Sequence, residues 1–331
     1  MSTNWALKHR PKTLDEIAGQ AVNVQILKAK KADIYQTMIF YGASGCGKTT
    51  AARALANDIG SEIIEVDAAS NNSVENIRQI IDLAGKMGFS KTWKMFIIDE
   101  AHMLSKAAWN ALLKTVEEPP KGVVFIFCTT EYKNIPLTIR GRSQLFKFYK
   151  LERNALKEYI KTILTKENAT LPEPLLDAIV YQSNQQVRDA VKFAQLCVEN
   201  NIDNIKEFEK KVGIPTVGGM ASFIEAVLDG KPRNAMRAVD SVAVAREGSG
   251  ENMVDLVEWA RRMEKVIWEL FNDIYNIETM THSITVAEKL RGIYEKHKEK
   301  KLGRLLDKLA NIKDGDKAFS QFYALAAQGV E

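Results

Sequence analysis

Short, unbroken apolar runs alternate with helix-patterned stretches through the first half of the chain. Met38-Ile39-Phe40 and Glu62-Ile63-Ile64-Glu65-Val66 read as strands, as do Lys94-Met95-Phe96-Ile97-Ile98 and Val123-Val124-Phe125-Ile126-Phe127. Between them, Asn72 followed three residues later by Glu75 predicts a capped start to a helix over Ser73 to Ala84. A second helix, over Ser105 to Val116, is stopped by Pro119-Pro120. Runs apolar at every position, not every second one, belong to strands buried on both faces. The expectation is an α/β fold, a parallel sheet between helices, with a last strand at Leu145 to Tyr149 closing it near residue 150.

From Glu152 onward the pattern changes class. Leu156, Ile160, Ile163 and Leu164, then Leu175, Leu176, Ile179 and Val180, recur at helical spacing, and no convincing strand follows. Gly213-Ile214-Pro215 and Gly218-Gly219 predict a break in this helical half. The expected organisation is an α/β domain over 1–150, a helical domain over 151–213 and a second helical domain over 214–331. Near the end, Leu302, Leu305, Leu306 and Leu309 form one apolar stripe among lysines, the pattern of a core-facing helix with a solvated basic face.

Composition narrows the classes. The 331 residues suit two or three domains, and no apolar run approaches the roughly 20 residues that cross a bilayer. Met1 to Lys12 is polar rather than signal-like, so a cytoplasmic protein without a membrane partner is expected. Cys46, Cys128 and Cys197 are far apart and lack metal-ligand spacing, which supports neither a disulfide framework nor a zinc site. A net charge of +4 permits an anionic partner without demanding one.

The chemistry lies where a strand turns into a helix. Gly42-Ala43-Ser44-Gly45-Cys46-Gly47-Lys48-Thr49-Thr50 has the full P-loop spacing, between an apolar strand and the helix former Ala51-Ala52-Arg53-Ala54-Leu55-Ala56. Its glycines let backbone N–H groups close around phosphates, Lys48 is placed for the β- and γ-phosphates, and Thr49 for Mg²⁺. ATP and Mg²⁺ are the expected ligands. Asp99 and Glu100 follow a buried strand, at the edge where α/β sheets bind ligands. Asp99 fits a Mg²⁺ ligand and Glu100 a base for water, which favours hydrolysis over a kinase reaction.

Two further sets stay open between roles. Thr129-Thr130 ends the next strand, either as a contact to the attacking water or γ-phosphate or as an ordinary strand-end cap. Arg140 and Arg142 precede the last strand, as a source of transition-state charge or as surface arginines.

Together with the P-loop, five segments carry a family resemblance. They are His9-Arg10-Pro11-Lys12-Thr13-Leu14-Asp15-Glu16-Ile17-Ala18-Gly19-Gln20, Asp67-Ala68-Ala69-Ser70-Asn71-Asn72, Ile98-Asp99-Glu100-Ala101-His102-Met103-Leu104-Ser105, Asn110 to Pro120 and Gln186-Val187-Arg188-Asp189-Ala190. The chain resembles the AAA+ ATPase subunits of sliding-clamp loaders, the bacterial gamma/tau subunit first, with the small subunits of replication factor C and phage counterparts behind. The resemblance runs from about residue 5 to 195. It implies an AAA+ domain followed by a helical lid and a helical collar that holds a five-subunit ring. It also implies copies of this chain and at least one other subunit in that ring, a ring-shaped clamp, primed template DNA, and a role in DNA replication.

By residue, the resemblance implies sensor 1 at Thr130, an arginine finger at Arg142 acting on a neighbour's ATP, and sensor 2 at Arg188. It puts Leu7, His9, Arg10, Pro11, Ile17 and Ala18 around adenine. Asn72, Ser73, Arg78, Ser105 and Lys106 would face template phosphates, with helix capping as the alternative reading. Met87, Gly88 and Phe89 are candidates to face the clamp, with a Phe89 buried under the sheet as the alternative reading. The chain departs from the pattern at Gly141 and Ser143 beside the finger, with Arg140 a second candidate, and at His9, where an aromatic residue is usual. Asn57-Asp58-Ile59-Gly60-Ser61 bridges the place of the gamma/tau zinc module. That, with a short C-terminus, makes the layout more like a phage or replication factor C small subunit, in a host cytoplasm if phage-encoded. The rivals are a DEAH-box helicase, from Asp99-Glu100-Ala101-His102, another AAA+ machine such as a branch-migration motor or replication initiator, and a scaffold subunit that does not hydrolyse ATP.

Overall fold

The computed structural model describes residues 4–86, 93–212, 217–247 and 284–312, with scattered positions between 260 and 327. The chain divides into two compact units, Met1–Thr170 with Ser183–Leu196, and Leu171–Gln182 with Cys197–Glu331.

The first unit is built on five parallel strands, β1 (Thr37–Gly42), β2 (Glu62–Asp67), β3 (Lys94–Asp99), β4 (Val123–Thr129) and β5 (Gln144–Phe148), in the spatial order β2-β3-β4-β1-β5. Each strand of the centre sends alternate residues to opposite faces. Met38, Phe40, Ile97, Ile126 and Cys128 pack with the alanine-rich α3 (Lys48–Asp58) and with Leu27 of α2 (Ala21–Ala29), which follows the short α1 (Trp5–Lys8). Ile39, Phe96, Ile98, Phe125 and Phe127 pack with α4 (Val74–Gly85) and α5 (Lys106–Glu117). Burial on both faces is why these strands are apolar throughout. The short α6 (Leu137–Arg140) leads into β5, and α7 (Arg153–Lys166) follows it.

Two local expectations are corrected. Ser73, not Asn72, caps α4, accepting the Asn76 N–H at 3.2 Å, and the helix begins at Val74. The two neighbours are equally good caps, and the register that buries Ile77, Ile80 and Ala84 selects the second. Gly218 and Gly219 do not break a helix. They lie in α11 (Val217–Leu228), after α8 (Glu173–Gln182), α9 (Val187–Glu199) and α10 (Ile205–Val212). The apolar face Met220, Phe223, Ile224 and Val227 is fully buried, and that burial overrides the low helix propensity of glycine.

The second unit is helical among its described residues. Its core joins α11 to α12 (Pro232–Glu247) and α13 (Ile284–Ala310), and the stripe Leu302, Leu305 and Leu309 faces that core with Leu306 partly buried beside it. Among the described residues no helix is long and apolar enough to cross a membrane.

One polar knot sits beside this core. The Asp229 carboxylate accepts from Lys296 Nζ at 2.7 Å, Lys231 Nζ at 2.9 Å and His297 Nε2 at 2.7 Å. Hydrogen bonds from Lys296 and Lys231 hold its pKa well below the usual carboxylate range. A lowered folded-state pKa stabilises fully above the unfolded value, about 4, and the contribution is lost as the pH falls through the folded value. Asp229→Asn should therefore lower the unfolding midpoint at neutral pH and flatten its decline below about pH 4, as followed by circular dichroism melts across pH.

Candidate functional site

The turn after β1 is shaped by glycines at the positions where side chains do not fit. A Cβ on Gly42 would stand 2.1 Å from the Phe148 carbonyl oxygen of β5, and Gly45 and Gly47 have φ values of 70° and 98°. Gly47 opens α3, so the N–H groups of the turn and the helix N-terminus converge. Lys48, the first residue of α3, is only 7 % exposed. Its ammonium donates to the carbonyls of Gly42 at 3.0 Å and Ala43 at 2.9 Å. An ammonium has three donors, so this one keeps a donor for an anion. Burial pushes the thiol of neighbouring Cys46 upward.

β3 brings the acids to the same edge. Thr49 Oγ1 donates to Asp99 Oδ2 at 2.7 Å, and the Glu100 N–H donates to Asp99 Oδ1 at 3.0 Å. Glu100 adopts a left-handed backbone, φ 47°, unusual away from glycine. Among the described residues no group of three or more His, Cys, Asp or Glu could hold a metal ion by itself. Thr49 and Asp99, two adjacent oxygen donors, fit Mg²⁺, which takes one or two protein oxygens and completes its shell with water and substrate phosphates.

A cavity of about 450 Å³ opens beside these groups. Of the residues expected at the nucleotide, Leu7, His9, Arg10, Pro11, Ile17, Ala18, the run Ser44 to Thr50, and Arg188 line it, with Asp99 and Glu100. Gly42 and Ala43 do not line it and serve as the acceptors of Lys48. Arg10 Nε donates to Thr50 Oγ1 at 3.1 Å, and burial and then Arg53 lower the guanidinium's pKa. The ring of His9 bonds Glu167 and meets Trp5 edge-on, 6.3 Å between centroids. The carboxylate of Glu167 also pairs with Lys8 at 2.6 Å, and Lys8 and then His9 hold its pKa below the usual range. Tyr159 donates its hydroxyl to the His9 carbonyl at 3.2 Å.

Trp5, Tyr159, Ile163, Val187, Val191 and Lys192 line the same cavity and were missed in the sequence. Trp5 offered the one usable signal, a bulky aromatic in a polar amino-terminal stretch. Tyr159, Ile163, Val187 and Val191 sit in helices whose spacing speaks only of an inward face, and Lys192 is an ordinary exposed helix lysine by its sequence.

Other expected residues lie elsewhere. Thr130 follows β4 and does not line the cavity, whereas its neighbour Thr129 is fully buried, with Oγ1 accepting the Glu131 N–H at 3.0 Å. Arg142 stands just before β5, where Gln144 pairs with Met38, so it belongs to the edge of the sheet opposite the P-loop. It donates to the Thr138 carbonyl at 2.9 Å and pairs with Glu117 at 2.6 Å. Arg140 lies over the Tyr132 ring, 4.9 Å from its centroid. Ser105 caps α5 as Ser73 caps α4, and the Ser105 N–H donates to the Asn72 carbonyl at 3.3 Å. The two helix starts are thereby brought together, with Asn72, Arg78, Ser105 and Lys106 exposed around them. Met87, Gly88 and Phe89 lie outside the described residues.

Comparison with known proteins now bears on this geometry. The family model for the DNA polymerase III delta subunit matches residues 61–152. The DNA polymerase III subunit gamma of Buchnera aphidicola subsp. Acyrthosiphon pisum (strain APS) is 29 % identical over 86 % of this chain and 83 % of its own. The subunit gamma of Buchnera aphidicola subsp. Schizaphis graminum (strain Sg) is 34 % identical over 63 % of this chain and 66 % of its own. The DNA polymerase III subunit tau of Bacillus subtilis (strain 168) is 28 % identical over 90 % of this chain, which spans 57 % of that relative's length. Among solved structures, the Thermotoga maritima RuvB Holliday junction branch migration motor aligns over 87 % of this chain and 89 % of its own, with a TM-score of 0.53 and 19 % identity. At that identity the likeness speaks for the AAA+ fold alone. The P-loop geometry and the similarity to gamma and tau subunits together support a clamp-loader AAA+ subunit.

Proposed function

We propose that this chain is the ATP-hydrolysing subunit of a multi-subunit clamp loader, which holds a sliding clamp open and releases it on primed DNA when ATP is cleaved. One observation carries the reading: Lys48, Thr49, Asp99 and Glu100 meet at one edge of a parallel sheet, beside a cavity with an apolar side. ATP would supply the cleavable phosphoanhydride and Mg²⁺ the charge that gathers its phosphate oxygens. Lys48 and the N–H groups of Ser44 to Thr50 would bind its phosphates, and Thr49 and Asp99 would hold the metal. Glu100 takes the proton of the attacking water at its carboxylate. Leu7, His9, Pro11, Ile17 and Ala18 enclose the base, while Arg10 and Arg188 add positive charge. Thr130 is placed with the water or γ-phosphate as sensor 1.

Residues 1–150 act as the ATPase domain, 151–213 as a lid and 214–331 as a collar in a five-subunit cytoplasmic ring. Arg142 supplies charge to the site of an adjoining copy, and Asn72, Ser73, Arg78, Ser105 and Lys106 touch template phosphates. Another AAA+ DNA-remodelling activity, such as that of a branch-migration motor or replication initiator, is the second reading, because it would use the same ATP residues.

ATPase rates with and without primed DNA and a ring clamp separate the two. Strong stimulation by both together is expected, and stimulation by DNA without any effect of clamp would favour the second reading. Lys48→Ala should weaken binding of a fluorescent ATP analogue by more than about tenfold, measured by anisotropy. Glu100→Gln should bind that analogue normally, lose about 10²-fold or more of turnover and retain clamp in pull-down. Arg142→Ala should lower turnover of the assembly by about 10³-fold while the isolated chain binds ATP as before.

A further inference from the structure

The Glu100 carboxylate has one buried oxygen. Oε2 is shielded from solvent and makes no hydrogen bond, although the side chain as a whole is 41 % exposed. What faces Oε2 is His102 Nδ1, 3.4 Å away, on an imidazole only 12 % exposed. The same Nδ1 lies 3.2 Å from Thr129 Oγ1, and Nε2 on the far side of the ring lies 3.9 Å from Glu131 Oε1. The end of β4 therefore holds the ring through the Thr129 hydroxyl, with the exposed carboxylate of Glu131, two residues on, near its far side.

The proton inventory makes this more than packing. Thr129 Oγ1 already accepts the Glu131 N–H, so toward His102 it either donates its own proton or accepts a second one. When Thr129 donates, Nδ1 is a bare acceptor and its lone pair faces Oε2, which repels the carboxylate. With Nδ1 protonated, its hydrogen attracts the nearby Oε2, 3.4 Å from the nitrogen, while Thr129 Oγ1 stays within hydrogen-bond distance of the same nitrogen. Only the second arrangement sets an attractive group beside the buried oxygen, and an unsatisfied buried carboxylate oxygen is costly.

We propose that His102 is the positioning residue for Glu100, anchoring Oε2 through Nδ1–H, oriented in turn by Thr129, and leaving the other carboxylate oxygen to take the proton from water. This rests on the reading of Glu100 as the base. It ties the aim of that base to the end of β4, one residue before Thr130. A shift of β4 would move the ring and, with it, the base. A histidine that merely filled space between β4 and the turn after β3 would leave Glu100 free to find its own orientation.

The test compares His102→Ala, His102→Asn and His102→Gln in the full chain, assayed with primed DNA and clamp beside wild type and Glu100→Gln. His102→Ala should lower kcat about tenfold to a hundredfold, with the KM for ATP changed by less than about twofold, the size of a misaligned base. Asparagine places a polar N–H near Nδ1 and should recover most of the loss, whereas glutamine places its amide near Nε2 and should not. Thr129→Val should act in the same direction and add nothing to His102→Ala. Without nucleotide, the ¹⁵N resonances of the His102 ring, assigned by their loss in His102→Asn, should move in Glu100→Gln and in Thr129→Val. Wild-type kcat in His102→Ala, or equal losses in all three variants, overturns the assignment, as does a KM rising in step with the fall in kcat. If Glu100→Gln hydrolyses normally, the reading of Glu100 as base falls, and this inference with it. If Glu100→Gln is inactive while His102→Ala is fully active, only the role of His102 falls.

Discussion

A lysine ammonium buried at the carboxyl edge of a parallel sheet is the constraint around which the first unit is organised. Removing such a charge from water costs several kcal/mol unless partners replace the water, as an order of magnitude. Here the partners are the carbonyls of Gly42 and Ala43, aimed back at Lys48 by the turn that the glycines permit. That turn in turn requires β5 beside β1, because Gly42 passes so close to the Phe148 carbonyl that no side chain fits between them. Gln20 fastens the same place from outside. Its amide donates to the Tyr149 carbonyl at 2.7 Å and to the Cys46 carbonyl at 3.4 Å, joining the start of α2, the end of β5 and the P-loop. Strand order, turn shape and the buried cation are thus one arrangement.

How much of this was legible in the sequence depends on the range of the interaction. The P-loop and the acids after β3 are local, since a strand end and a few residues of turn contain the whole chemical logic of Lys48, Thr49, Asp99 and Glu100. Continuous apolar runs likewise announce strands buried on two faces, and β3 and β4 fall where such runs lie. The cavity wall is not local. Val187, Val191 and Lys192 join Trp5 and Tyr159 only because α9 returns to a segment almost two hundred residues earlier, as the bond from the Trp5 N–H to Gln195 Oε1, at 2.8 Å, illustrates. Helical periodicity marks the face of α9 that carries Val187 and Val191 as turned inward, without saying against what, and says nothing of exposed Lys192.

The small misreadings have the same origin. Asn72 and Ser73 are both good N-caps, worth about 1 kcal/mol each, and propensity cannot choose between neighbours. The choice falls to the face that α4 turns toward the sheet, a tertiary fact. Asn72 then spends its carbonyl on the Ser105 N–H, so two helix starts become neighbours although more than thirty residues separate them. Gly218-Gly219 is the converse case, where a pair of weak helix formers is carried by an apolar face that is buried throughout.

Arg142 shows how geometry can narrow a role that sequence leaves open. It precedes β5 at the edge where β1 begins, while the P-loop lies where β1 ends, six residues further on. At about 3.3 Å per residue, the sheet separates the two by roughly 20 Å, more than an arginine side chain can span. Charge that Arg142 contributes to a phosphate must therefore reach a site on another chain. Its pairing with Glu117 does not forbid this. Both side chains are more than 40 % exposed, and solvent-screened pairs of that kind are worth at most about 1 kcal/mol. A phosphate in a water-poor site offers a guanidinium a stronger and bidentate partner than such a screened pair. Arg140 is less free to change partners, because its guanidinium already lies over Tyr132, whose ring stacks on Tyr41 with 4.5 Å between centroids. Of the two arginines, Arg142 is the one held by a contact that can be traded.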